Sequence, residues 1–289
     1  MPRAEANGIE LEYEAFGDDG APAVFLISGW GSQLISWHDS FCDELVRRGF
    51  RAIRFDNRDV GLSSKIDARP ERPSERDDGS TYALEDMADD TVGLMDALGV
   101  DKAHVMGASM GGMIAQVIAI RHPNRVLSLT SIMSTTGARD VGGASDEAKA
   151  RLALPAPATR EERVQSSIDS CRVNWGDSEE FPFDEELARW RAEVSEDRCL
   201  YPEGRIRQAL AMRATGDRTT ALRQLRVPTL VIHGDNDGLV HVSGGEATAA
   251  AIPDAELMII RGMGHVVDRR ATDRILDAFE RLVARVAVA

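Results

Sequence analysis

The chain has 289 residues, 43% of them hydrophobic, and a formal net charge of −14. That length suits one large domain with an insertion or two small domains, and the acidic surplus repels nucleic acid and anionic lipid surfaces, so neither is an expected partner. There is no run of 18 apolar residues, and the opening MPRAEANGIELEYEAFG has neither a basic nor an apolar leader region, so no membrane span or signal peptide is expected and the default location is the cytoplasm.

In chain order, IELEYEAF (9–16) alternates like an edge strand and AVFLIS (23–28) reads as a buried strand. Trp37, Phe41 and Leu45 then recur at helical spacing before Gly49, and FRAIRF (50–55) is the next strand. Leu84, Met87, Ala88, Met95 and Leu98 share a helical face that Gly99 is placed to end; AHVMG (103–107) returns to strand. A helix is expected from about 111 to 121, stopped near Pro123, then a strand over RVLSLTSIM (125–133). This alternation predicts an α/β protein with a mostly parallel sheet and helices on both faces.

From 138 to 224 the rhythm breaks. The stretch is rich in Arg, Glu, Asp and Pro, with Leu187, Trp190 and Val194 at helical spacing and no strand, so a helical insertion is expected. PTLVIHG (228–234), AELMII (255–260) and a helix carrying Ile275, Leu276, Phe279, Leu282 and Val286 resume the alternation. The expected division is core over 1–137, helical cap over 138–224 and core again over 225–289. Residues 63–80 read as a long charged loop, and Cys42, Cys171 and Cys199 have no metal-ligand spacing, so no metal is expected.

Gly107-Ala108-Ser109-Met110-Gly111 matches G-x-S-x-G between a predicted strand and a predicted helix, the setting in which a serine hydroxyl is presented on a sharp, strained turn. A Gly-rich turn with no chemistry is the plain alternative; a phosphate loop would want G-x-G-x-x-G or a Gly-Lys-Ser/Thr ending, and neither is present. Serine needs a base, and the base needs an orienting acid. His265, in Gly262-Met263-Gly264-His265 after a strand, is the expected base, with His241 its rival; His38, His104, His122 and His233 read as ordinary helix or strand residues. Asp237 stands third after Gly234 in VIHGDND, far enough past the strand to reach His265. Asp235, directly after the glycine, is expected to shape the turn by bonding its own backbone. Asp140 lies well past its strand and Asp268 reads as a helix-start acid. The order Ser, Asp, His is that of α/β-hydrolases. The amides of Trp30, in Ser28-Gly29-Trp30-Gly31, and of Met110 are placed to serve as an oxyanion hole.

These residues, with FDNRDVGLS (55–63), HVMGASMGGMIAQ (104–116), HPNRV (122–126), VPTLVIHGDND (227–237) and IRGMGH (260–265), resemble the α/β-hydrolase superfamily over nearly the whole chain. Within it the chain is most similar to actinobacterial-type carboxylesterases and lipases, and more distantly to aclacinomycin methylesterases, whose cap FPFDEELARW resembles. The resemblance implies an eight-stranded sheet, a helical cap and hydrolysis of a small-molecule carboxylic ester through an acyl-enzyme, with Ser109 nucleophile, His265 base and Asp237 acid. It implies no metal, nucleotide or flavin cofactor. Many relatives have His-Gly where this chain has Ser28-Gly29. Arg58 and Asp59 are expected to brace the loop near the site by ion pairing and hydrogen bonding. Trp30, Trp175, Trp190, Tyr201 and Val240 are candidate pocket residues, although aromatics in a small helical module, Phe181 and Phe183 included, also serve as its own core. Lactone, thioester or carbon–carbon hydrolysis and perhydrolysis use the same triad, and a non-catalytic ligand-binding member of the fold is the alternative of another class. Dehalogenase and epoxide hydrolase chemistry would want an aspartate at position 109.

Overall fold

A computed structural model describes residues 2–66 and 80–286, with the backbone alone at 286, so most of the charged loop expected over 63–80 lies outside the described residues. The strands are β1 (Arg3–Ala6), β2 (Ile9–Phe16), β3 (Ala23–Ile27), β4 (Arg51–Phe55), β5 (Ala103–Ala108), β6 (Val126–Ile132), β7 (Thr229–Gly234) and β8 (Glu256–Ile260). They form an eight-stranded sheet in the order β1-β2-β4-β3-β5-β6-β7-β8, parallel from β4 to β8 and antiparallel at β1 and β2. The edge strand expected at 9–16 is one strand in from the edge. Arg3–Ala6 pairs with it across a two-residue turn, Asn7 and Gly8, both at positive φ (50° and 74°) with Ala6 opposite Ile9. Asn-Gly suits this hairpin because both central residues must adopt left-handed backbone.

Central strands are buried on both faces, which is why they read as unbroken apolar runs. Phe25 and Ile27 of β3 pack with Ile53 and Val105 under α2 (Leu84–Ala97) and α3 (Met110–Arg121). Val24 and Leu26 point the other way, to Met106 and to α1 (Asp39–Arg47) and α10 (Thr272–Val286), where Phe41, Leu45, Ile275 and Phe279 are buried. Each such side chain contributes roughly 1.5–3 kcal/mol by leaving water. The remaining core helix, α9 (Ser243–Ala251), lies against β7 and β8.

Between β6 and β7 stand α4 (Asp146–Leu152), α5 (Arg160–Trp175), α6 (Glu185–Arg198), α7 (Pro202–Thr215) and α8 (Thr219–Leu222), with no strand among the described residues of 138–224. The starts of α4, α5 and α6 follow from side-chain caps. Ser145, Thr159 and Asp184 accept from the amides of Ala148, Glu162 and Leu187, and Glu162 closes a capping box. Helices α5 and α6 share a small core of Val164, Ile168, Ala188 and Ala192. The buried side of α6 is Leu187, Ala188 and Ala192; Trp190 lies off it, 44% exposed.

Two buried histidines tie stability to pH. His38, just before α1, is lowered to about 3 by burial and by the charges of Arg191, Arg269 and Arg54. His104 is lowered to about 4 by burial between Phe50 and Phe279, with Nδ1 2.8 Å from the Ser128 hydroxyl. Because both titrate lower when folded, the unfolded chain takes up protons first. Their contribution is full above pH 6.5 and drains away as pH falls toward 4 and then 3. Urea unfolding across pH 7 to 4.5 is expected to show stability falling with pH, and His104→Asn to flatten that slope by up to about 1.4 kcal/mol per pH unit.

Candidate active site

Ser109 sits between β5 and α3 at φ 57° and ψ −121°, a strained backbone for a residue with a side chain. The motif's glycines let this turn close. A Cβ on Gly107 would collide with the Gly111 carbonyl, and one on Gly111 with the carbonyl of Ile27 in β3. The turn is pinned by Ser109 N–H donating to the Ile132 carbonyl (2.9 Å) and the Ser134 hydroxyl donating to the Ser109 carbonyl (2.8 Å).

The loop after β3 lies directly on this turn, since a Cβ on Gly29 would stand 3.2 Å from Ser109 Cβ. Met110 is the first residue of α3, where an N–H has no intrahelical acceptor. Neither the Trp30 nor the Met110 N–H donates a hydrogen bond among the described residues. The Trp30 indole donates to the Arg205 carbonyl of α7 (2.6 Å), with the Arg205 guanidinium stacked 4.6 Å above its ring. Gly31 N–H donates to Gln208 Oε1 (2.8 Å), and Gln208 Nε2 donates to the Arg58 carbonyl (2.9 Å). The inserted helices thus clamp the loop that follows β3.

At the ends of β7 and β8, Asp237 Oδ2 is 2.7 Å from His265 Nδ1. The carboxylate's other oxygen accepts from the amides of Leu239 (2.9 Å) and Val240 (2.8 Å), so Asp237 closes its own turn. Burial by itself would raise its pKa, but the charge of His265, the side-chain bonds from His233 and His265 and the Val240 amide outweigh it and hold the carboxyl well below the usual range. Asp235 departs from expectation. Its Oδ1 accepts from Gly262 N–H of the loop leading to His265 (2.6 Å) and not from its own backbone. His265 N–H donates to the Asn174 carbonyl near the end of α5 (2.6 Å). Among the described residues no hydrogen bond joins Ser109 Oγ to His265; such contacts often close only around substrate. His241, the rival base, is exposed and paired with Ser243 (3.0 Å). Asp268 caps the short helical turn before α10.

Sequence reasoning missed His233. It is fully buried at the end of β7, with Nε2 2.8 Å from the Val240 carbonyl and 3.3 Å from Asp237 Oδ2. The signal was its i, i+4 spacing from Asp237 across a tight turn. Arg58 and Asp59 brace their loop by ion pairs, each with a partner on a different helix. Arg58 grips Asp90 of α2 (2.6 Å) and Asp59 accepts from Arg207 of α7 (2.8 Å), because the intervening backbone, with Asp59 at φ 69°, turns their side chains apart. Of the candidate pocket residues, Trp175 is buried where the insert meets the loop after His265, against Leu187, Val266 and the edge of Phe183. Tyr201 bonds Arg207 and Trp190 faces outward, so these three rings join the insert to the core, hold α7 or meet solvent. Val240 is buried in the Asp237 turn.

The model of the α/β hydrolase fold family matches residues 22–267, and the chain belongs to that family. Rhodomycin D methylesterase DauP of Streptomyces sp. (strain C5) is 28% identical over 90% of each chain. A thermophilic esterase from Thermogutta terrifontis superposes with a TM-score of 0.73 at 25% identity, covering 99% of this chain and 98% of its own. Esterase RhEst1 from Rhodococcus sp. ECU1013 superposes with a TM-score of 0.77 at 21% identity, over 99% and 98% of the two chains. Among the described residues no cluster of His, Cys, Asp and Glu is arranged to hold a metal ion, and no helix is long and apolar enough to cross a membrane.

Proposed function

We propose that the protein is a serine hydrolase of small-molecule carboxylic esters, with residues 138–224 forming a cap over the site. The observation that carries this reading is the buried Asp237–His265 contact of 2.7 Å, in the same layer of strand ends as the strained Ser109 turn. Likeness to a methylesterase and an esterase supports an ester as substrate.

In this reading Ser109 Oγ attacks the ester carbonyl carbon while His265 Nε2 takes the hydroxyl proton. The carbonyl oxygen becomes an oxyanion held by the Trp30 and Met110 N–H groups, each such donor contributing roughly 3 kcal/mol to the barrier's lowering. His265 returns the proton to the departing alcohol, leaving an acyl-Ser109 ester that water, activated by the same imidazole, hydrolyses. Asp237 keeps the Nδ1–H tautomer facing inward, so that Nε2 is free to accept.

The test is turnover of p-nitrophenyl esters from acetate to palmitate, run beside a lactone and a carbon–carbon hydrolase substrate. Ester cleavage with a burst of p-nitrophenol stoichiometric with enzyme is expected. Cleavage of the lactone or the carbon–carbon bond with no ester turned over would overturn the ester reading.

A further inference from the structure

The geometry points to His233 as a positioning residue for the acid of the triad, an inference that rests on the Asp237–His265 reading above. We infer that its Nε2–H, anchored on the Val240 carbonyl, is shared with Asp237 Oδ2, so that two imidazoles hold one carboxylate oxygen.

The tautomer follows from the partners. A carbonyl oxygen only accepts, so the 2.8 Å contact between Nε2 and the Val240 carbonyl requires the hydrogen on Nε2. The same nitrogen is 3.3 Å from Asp237 Oδ2, the oxygen that also meets His265 Nδ1. Nδ1 of His233 is buried with no hydrogen-bond partner among the described residues and lies against α9, where a Cβ on Gly245 would stand 2.5 Å from it. Gly245 therefore leaves the ring the space it occupies against α9. With the Leu239 and Val240 amides on Oδ1, and His265 Nδ1 and His233 Nε2 at 2.7 and 3.3 Å from Oδ2, both Asp237 oxygens have partners that oppose a swing of the carboxylate away from His265. Outer partners of this kind set orientation and charge in catalytic centres.

The charged groups on neighbouring elements are engaged elsewhere. Asp235 holds Gly262, Asp268 holds Arg270, and Asp177, past α5, holds the Phe183 amide. On α9 Glu246 is exposed, and His241 just before it binds Ser243. Among the described residues Asp237 is the only carboxylate with an oxygen within 4.0 Å of a ring nitrogen of His233 or His265. Without the His233 N–H, the carboxylate's charge would fall more fully on His265 and favour its protonated form, in which it is no base.

His233→Leu is expected to lower kcat/KM by roughly 10- to 100-fold and to move the acid limb of the kcat/KM profile upward by roughly half a pH unit or more. His233→Gln, whose amide can replace the Nε2–H, should restore the limb and most of the rate. A merely structural residue would change the active fraction and leave the limb in place. An unmoved limb in His233→Leu, or Gln giving no restoration, would overturn the inference. If neither variant folds, nitrogen-15 spectra of the intact protein still test it, since a His233 proton found on Nδ1 and not on Nε2 would overturn the inference. Ser109→Ala in the same assay separates the two readings: an inactive Ser109→Ala with an unmoved His233→Leu limb removes the role of His233 alone.

Discussion

Ser109→Ala is expected to reduce kcat on p-nitrophenyl esters by about 10⁵-fold or more while leaving KM within a few-fold and the unfolding midpoint nearly unchanged. The loss is large because in the proposed mechanism the hydroxyl alone forms the acyl bond, and the oxyanion amides and binding surface without it would give only a small residual rate. Folding should hold because Ser109 contributes its backbone to the turn, through its N–H on the Ile132 carbonyl and its carbonyl under Ser134, and Ala keeps both. Alanine at φ 57° carries the same strain that serine carries. Full activity in Ser109→Ala would sink the nucleophile assignment.

Asp237→Asn is expected to cost on the order of 10⁴-fold in kcat, and the structure says why. Oδ1 of Asp237 receives two amide hydrogens, from Leu239 and Val240, so the carbonyl of an asparagine must take that side. Its NH2 group then occupies the Oδ2 side, facing His265 Nδ1 and the Nε2–H of His233. Two donors confront each other at His233, and His265 is driven to the tautomer with its hydrogen on Nε2, which cannot accept from Ser109. Asp235→Asn keeps its acceptor for Gly262 N–H and should cost only a few-fold. Steady-state kinetics on the two variants side by side check this; equal, small losses would remove Asp237 as the acid.

How much could be read from the residues tracks how local each constraint is. The strands β3, β5 and β7 and the turn at Ser109 were legible because their causes are local: unbroken apolar runs, and glycines wherever strand and helix must touch. β1 escaped because four residues carry little pattern, although Asn7-Gly8 marked the hairpin. The partners of Arg58 and Asp59 were illegible since each is chosen by a helix far along the chain, α2 and α7. Trp190 misled for a related reason. Leu187, Trp190 and Val194 are helically spaced, but α6 turns a neighbouring stripe, Leu187, Ala188 and Ala192, toward α5. Asp235 and Asp237 were separated correctly in reach to His265 but not in turn chemistry, since Asp237 bonds its own turn and Asp235 bridges to the next loop.

The end of α5 does more than stop a helix. The Asn174 carbonyl holds the His265 amide, Gly264 has no room for a side chain beside the Trp175 carbonyl, and the Asn236 amide holds the Gly176 carbonyl. Residues 174–176 are thus a seam shared by two regions that a modular description would separate. Anyone exchanging the 138–224 helices for those of a relative, to test whether they choose the substrate, would have to carry this seam across intact. A chimera joined without it would change the inserted helices and misplace the His265 imidazole together.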